Sequence, residues 1–236
     1  MSDDDAPFHM LQTWLDGRKL TEVGRMLGLP LRQADNNYLA HCLLGKLFGD
    51  RAPGLYWLDD DPNRERKREM QVLAYADDDA DTLEQLARTY VEPSLFEALD
   101  WDRTASKPMP ESFPEGMTLG FELRACPVIR KGSAGDNGKE GDQKRSWRAG
   151  DELDAFLAEA WKPENDGVEL EREEVYRDWF ERQLDLRGGA EPVTESIGMK
   201  RFSIERMIRR QSGGERKARP IQRPDVTLTG RLEVTD

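Results

Sequence analysis

NYLAHCLLGKLFG, residues Asn37 to Gly49, decides how the first half of this chain is read. Asp35 just ahead of it is a helix-capping residue, and Gly49 behind it is of the type that ends helices. The run between them predicts a helix from about Asn37 to Phe48. Positions three and four apart on a helix share a face, which puts Tyr38, His41, Leu44, Gly45 and Phe48 on one stripe. Gly45 costs such a helix ~1 kcal/mol relative to Ala, yet leaves room one turn from the imidazole.

Working outward, FHMLQTWL (Phe8 to Leu15) is aromatic and partly alternating, as a strand should be. Leu20, Val23 and Leu27 carry helical spacing within a segment, Gly17 to Ala34, that delays the central helix. LYWL (Leu55 to Leu58) and QVLAYA (Gln71 to Ala76) predict strands joined by a charged turn, and Thr82 to Tyr90 predicts a helix. TLGFELRACPVIR (Thr118 to Arg130) reads as a strand able to supply the fourth of this unit and to open another. Lys131 to Gly150 is a Gly-rich, charged loop, followed by helices at Asp151 to Trp161 and Arg172 to Leu186. MKRFSIERMIR (Met199 to Arg209) fits either a strand or an amphipathic helix, and VTLTGRLEV (Val226 to Val234) alternates as a strand. The order is a βαββαβ pattern followed by a second that ends early, an α+β arrangement with a helix and a strand unaccounted for.

Charge is segregated along the 236 residues. Overall the chain carries a net charge of −12, with 35% charged and 37% hydrophobic residues. Residues 1 to 105 hold 21 acidic against 12 basic side chains, whereas Lys200 to Arg223 hold nine Lys or Arg against two Glu. KRSWR (Lys144 to Arg148) adds a second basic stretch with an aromatic inside it. This separation predicts one basic working face that could meet a phosphate backbone despite the negative total. The apolar runs are too short to span a bilayer. MSDDDA at the start lacks the basic opening of a signal peptide, so the expected location is the cytoplasm, with no membrane partner. Cys42 and Cys126 lack metal or redox spacing and read as small buried hydrophobes. The carboxylates at Asp59 to Asp61 and Asp77 to Asp81 read as solvated turns, so no metal and no cofactor is assigned.

His41 is one of two histidines; the other, His9, falls in a predicted strand and is assigned to structure. An imidazole can take a proton from a ribose 2′-hydroxyl or return one to a leaving oxygen. Tyr38 one turn earlier can donate a hydrogen bond, and Lys46 is a long cation able to stabilise charge on a pentavalent phosphate. Together the three suffice for RNA cleavage without a metal. Periodicity alone leaves open whether His41 is catalytic or merely sits on a helix.

Several blocks resemble one family, the CasE-type CRISPR repeat-RNA endoribonucleases of the subtype I-E Cascade complex. The pattern Y-x-x-H-x-x-L-x-x-L-F is met by Tyr38, His41, Leu44, Leu47 and Phe48, with Lys46 matching a lysine of some members. LGFELRACPVIRK (Leu119 to Lys131) resembles the family's strand that runs into a basic loop. DWDRTASKPMP (Asp100 to Pro110) is similar to the connection leading there, and VTLTGRLEVTD (Val226 to Asp236) to the late strand.

The resemblance implies tandem ferredoxin-like, RRM-like domains, here residues 1–112 with the catalytic helix and 113–236 with the basic loop and hairpin. It further implies a metal-independent cut at the 3′ base of a CRISPR repeat hairpin by 2′-hydroxyl attack, the product staying with the other Cascade subunits. His41 would shuttle the proton with Tyr38 and Lys46 in support. Arg124, Arg130 and Lys131 would follow the RNA backbone, and Lys200, Arg201, Arg209 and Arg210 would reach the duplex groove. Lys144, Arg145 and Arg148 add to that surface, with Trp147 stacking on a base or anchoring its loop. The family continues past its late strand with a helix, a Gly-rich loop and a strand, so the second domain is expected to be incomplete at its C-terminus. Two other readings stand beside this one. The first is a non-catalytic RNA-binding subunit. The second is a helix-turn-helix DNA-binding regulator over Leu20 to Gly45, with Arg32 and Gln33 facing a groove.

Overall fold

β1 (His9–Asp16) alternates as expected, burying Leu11, Thr13 and Leu15 on one face. Those three lie opposite Ala74, Val72 and Met70 of β3 (Glu69–Ala76), all of them buried, so a single register sets one apolar layer. In the computed structural model the described residues are 8–29, 31, 34–59, 69–141, 144–209 and 219–235. The chain divides into two units: residues 1–112 with 206–221, and residues 113–205 with 222–236.

In the first unit β2 (Leu55–Asp59) pairs with the outer edge of β3, and β4 (Ala105–Pro108) with the outer edge of β1. The sheet order is β2-β3-β1-β4, all antiparallel. Helices α1 (Gly17–Met26) and α2 (Asn36–Phe48) lie between β1 and β2 in the chain, and α3 (Ala80–Tyr90) with the one-turn α4 (Pro93–Phe96) lies between β3 and β4. This is a βαββαβ unit, the ferredoxin-like arrangement. The fourth strand is therefore Ala105–Pro108. The expectation that Thr118 to Arg130 supplies it is corrected, because that segment pairs within the second unit.

α2 is the keystone of this layer. Asp35 caps it by accepting from the Tyr38 N–H at 2.7 Å, and Gly49, at φ 58°, ends it. Between them Leu39, Ala40, Leu43, Leu44, Leu47 and Phe48 are buried; each large apolar side chain there contributes about 1.5–3 kcal/mol. α1 packs closely on α2: a Cβ at Gly24 would come within 2.9 Å of the Leu39 Cδ2 atom. The segment read as a delay before α2 is thus mostly α1, with Leu20 and Val23 facing inward. Residues 27–35 separate the two helices, a longer connection than a helix-turn-helix uses, and Arg32 and Gln33 lie outside the described residues.

The second unit is built on β12 (Arg219–Val234). β5 (Thr118–Ala125) pairs with it along Val226 to Glu233, and β10 (Ala190–Pro192) along Leu232 to Val234. Both claim Leu232 and Glu233, so they occupy opposite edges. β11 (Gly198–Arg209) is the remaining neighbour of β12, which settles Met199 to Arg209 as strand. Pro127 cannot donate to a ladder, and the predicted Thr118 to Arg130 strand breaks there. Its second piece, β6 (Val128–Arg130), pairs instead with β9 (Glu152–Asp154). That pairing delays the following helix, α5 (Ala155–Ala160), beyond the expected Asp151 start. α6 (Arg172–Asp185) follows, and Tyr176 and Phe180 pack with Ala155, Ile197, Val226 and Leu228 in this unit's core.

One polar network is buried in that core. The Tyr176 hydroxyl donates to Asp154 Oδ1 at 2.9 Å and accepts from Arg172 at 2.8 Å. Arg172 lies over the rings of Phe156 and Phe202, 3.9 and 4.5 Å from their centroids. Asp154 also caps α5 through the Phe156 N–H. Burial and the Asp154 carboxylate push the Tyr176 phenol up from its ordinary value. Tyr176→Phe should lower unfolding free energy by about 1–3 kcal/mol, since two charged partners lose a buried hydroxyl. Urea denaturation measures it, and an unchanged midpoint would contradict the network's role.

Candidate active site and nucleic-acid interface

The burial of α2 decides what the helix can offer. His41, Gly45 and Lys46 are exposed and Tyr38 is half-buried, whereas Leu44 and Phe48 are buried. The expected stripe is corrected accordingly: Leu44 and Phe48 turn into the core, and the solvent-facing arc runs from His41 through Gly45 and Tyr38 to Lys46. A Cβ at Gly45 would meet nothing within 4 Å, so no packing inside the chain requires a glycine there. His41 and Tyr38 are one turn apart, about 60° around the axis. Lys46 stands at the opposite edge of the arc, about 140° from His41 and about 7.5 Å along the axis. The two cannot act on one atom by helical neighbourhood alone, but they can flank an extended anion laid across Gly45.

Four of the ten expected RNA-binding cations are already paired with carboxylates of the protein. Arg124 makes a two-pronged pair with Asp225, with Nε to Oδ1 and an Nη to Oδ2 both at 2.8 Å. Asp225 is buried, so this guanidinium has a structural task before any other. Lys200 donates to both carboxylate oxygens of Glu122 at 2.8 and 2.9 Å, Arg201 lies 3.8 Å from Glu205, and Lys144 3.4 Å from Asp136. Arg223, which sequence reasoning did not single out, stands 3.5 Å from Glu152. Sequence reading missed these carboxylates because Asp225 is 101 residues from Arg124 and Glu122 is 78 from Lys200. Only the β5–β12–β11 sheet brings them together.

Arg130 and Arg148 are exposed and form no ion pair among the described residues. Arg145 is exposed and donates through its guanidinium to the Lys144 carbonyl at 2.9 Å. Lys131 lies over the ring of Trp147, 4.7 Å from its centroid, and that half-buried ring stacks on Trp161. Trp147 is thus packed against the protein on these sides. The side chain of Arg209 and the whole of Arg210 lie outside the described residues.

The remaining titratable groups do local work. Asp79 caps α3, and its hydrogen bonds with Thr82 hold its carboxyl below the usual range. Asp78 pairs with Arg51, and Asp60 and Asp61 lie outside the described residues. Among the described residues no three His, Cys, Asp or Glu side chains gather around a metal-sized space. Both cysteines are half-buried thiols, and burial pushes that of Cys126 up to about 11. Among the described residues no helix is long and apolar enough to cross a membrane.

The chain thus joins a ferredoxin-like unit with an exposed histidine on its second helix to a second α+β unit with an exposed basic loop. The profile of the family described as CRISPR associated protein matches residues 9–236, and the chain belongs to that family. Its fold is similar to that of the CRISPR endoribonuclease Cse3 bound to a 19-nucleotide RNA. The TM-score is 0.53 and the identity 17%, covering 98% of this chain and 87% of that one. It is also similar to Cse3 of Thermus thermophilus bound to an RNA representing a pre-cleavage complex. There the TM-score is 0.50 and the identity 18%, over 97% of this chain and 86% of that one. No curated protein matches in sequence. The CasE-type resemblance and the α+β, tandem ferredoxin-like fold expected from sequence are both upheld.

The Arg124–Asp225 pair yields a direct check. Arg124→Ala should lower unfolding free energy by about 2–4 kcal/mol, because it strands a buried carboxylate. A variant as stable as the parent in chemical denaturation would return Arg124 to the set of cations available for a ligand.

Proposed function

We propose that this chain is an endoribonuclease that binds the repeat hairpin of CRISPR precursor RNA and cleaves it at its 3′ base without a metal ion. The observation that carries this reading is the exposure of His41, beside the sterically open Gly45, on a helix whose opposite face is sunk in the core. The RNA-bound state of the Cse3 structures that share the fold supports the choice of substrate.

The chemistry follows from the side chains. His41 takes the proton of the ribose 2′-hydroxyl, that oxygen attacks the adjacent phosphorus, and the bond from phosphorus to the 5′-oxygen breaks. The products are a 2′,3′-cyclic phosphate and a 5′-hydroxyl, the leaving oxygen taking the proton that His41 returns. Lys46, across the arc from His41, offsets the added negative charge on the phosphoryl oxygens, and Tyr38 orients the substrate between them. Arg130, Arg145 and Arg148, with Lys144, hold the stem by its phosphates. The cleaved RNA then stays bound, and the complex joins the other Cascade subunits in the cytoplasm.

The test is cleavage of a CRISPR repeat hairpin from the source genome, in EDTA. The wild-type chain should cut once, leaving a cyclic phosphate, and a 2′-deoxyribose at the cut position should block it. His41→Ala should lose about 10²–10⁴-fold in rate with hairpin affinity kept. Hairpin binding with no cleavage by the wild type would mark a non-catalytic RNA-binding subunit, and dependence on added metal would overturn the mechanism.

A further inference from the structure

The loop from Arg130 to Gly150 carries the exposed arginines and is closed by more than its ends. Its base is a ladder: Arg130 is in register with Glu152, the Lys131 N–H donates to the Asp151 carbonyl at 2.8 Å, and the Gly150 N–H to the Lys131 carbonyl at 2.7 Å. Its far end is a small hairpin of β7 (Gly135–Asp136) and β8 (Ser146–Trp147). Asn137, buried at the turn, accepts from the Arg145 N–H at 3.0 Å and donates its own N–H to the Arg145 carbonyl at 3.0 Å. Asp136 accepts from the Gly138 N–H, which together with Lys144 holds its carboxyl below the usual range.

Between base and tip stands Trp147, and its half-buried ring packs against Trp161, Lys131 and Gly135. It lies parallel to Trp161, with an interplanar angle of 4° and centroids 6.0 Å apart. Lys131 covers it at 4.7 Å. Gly135 is its cross-strand partner, and a Cβ there would come within 3.0 Å of the ring. Trp161 is the C-cap of α5. It ties the loop to the helix that Asp154, part of the buried Tyr176 network, caps at its other end. A charged loop that meets a phosphate chain loses affinity by whatever ordering it must undergo on binding, and a loop already fixed avoids that loss.

We propose that Trp161 is a positioning residue for RNA binding: through Trp147 it fixes the two sides of the loop, residues 130–136 and 146–150, so that Arg130 and Arg148 are both presented to the RNA backbone. Trp147 thus serves as an internal clasp, with no base stacked on it. This rests on the reading of the chain as a hairpin-RNA binder.

The experiment measures affinity for the same repeat hairpin, with 2′-deoxyribose at the cut position, across a series of KCl concentrations. Removing one side chain that neutralises a phosphate lowers the slope of log affinity against log salt by roughly 0.7–0.9. The double variant Arg130→Ala, Arg148→Ala should therefore flatten the slope by roughly 1.5 and weaken binding roughly tenfold near 150 mM salt. Trp161→Ala should flatten it equally, add little to the arginine variant when combined with it, and be rescued in part by Trp161→Phe. Gly135→Ala, which crowds the ring directly and leaves α5 intact, should act in the same direction, guarding against a folding defect. A wild-type slope in both Trp161→Ala and Gly135→Ala would overturn the proposal, as would a loss confined to Trp147→Ala, which would make that ring a base platform. An unchanged slope in the arginine variant would remove the loop from the interface while leaving the hairpin-binding reading intact. Failure of the wild type to bind the hairpin at all would instead overturn that reading.

Discussion

The structure of the first unit depends on how α2 divides its sides between the sheet and water. Six of its side chains must be buried to seal the layer formed by Leu11, Leu15, Met70 and Val72, and the helix repeat then leaves His41, Gly45 and Lys46 no place but the surface. The same packing that stabilises the fold thus presents the imidazole. Because those six side chains are held in the core, the rotation of α2 about its own axis is fixed, and with it the direction His41 faces.

The second unit solves a different problem. Its basic side chains would repel one another across the sheet, and the structure offsets this by pairing Arg124, Lys200 and Arg223 with carboxylates distant in sequence. Among the described residues of the Arg130–Gly150 loop, Arg130 and Arg148 stay exposed without an ion pair. A net-negative protein can meet RNA this way, since steering depends on the local field rather than the total.

Much of this was legible from residue patterns. The α2 boundaries, the β1, β2 and β3 runs and α3 all follow from alternation, helical spacing and capping residues, which are local signals. What escaped depended on distance. Ala105–Pro108 is too short and too polar to announce itself as a strand, and it exists because β1 has a free edge. The break at Pro127 was written in the sequence, but the pairing of the residues beyond it with Glu152–Asp154 was not. Charge counting found the basic residues and could not tell a paired guanidinium from an exposed one. The helical stripe erred for a related reason: spacing places Leu44 near His41 but does not say where water begins.

The central claim is that the exposed arc of α2 meets the scissile ribose. Its most direct test is a crystal structure of the chain with a repeat hairpin blocked at the cut position by 2′-deoxyribose. The His41 imidazole should lie within about 3 Å of the 2′ position, with the phosphate over Gly45. A complex in which the RNA is ordered and bound but leaves the outer face of α2 bare to solvent would contradict it.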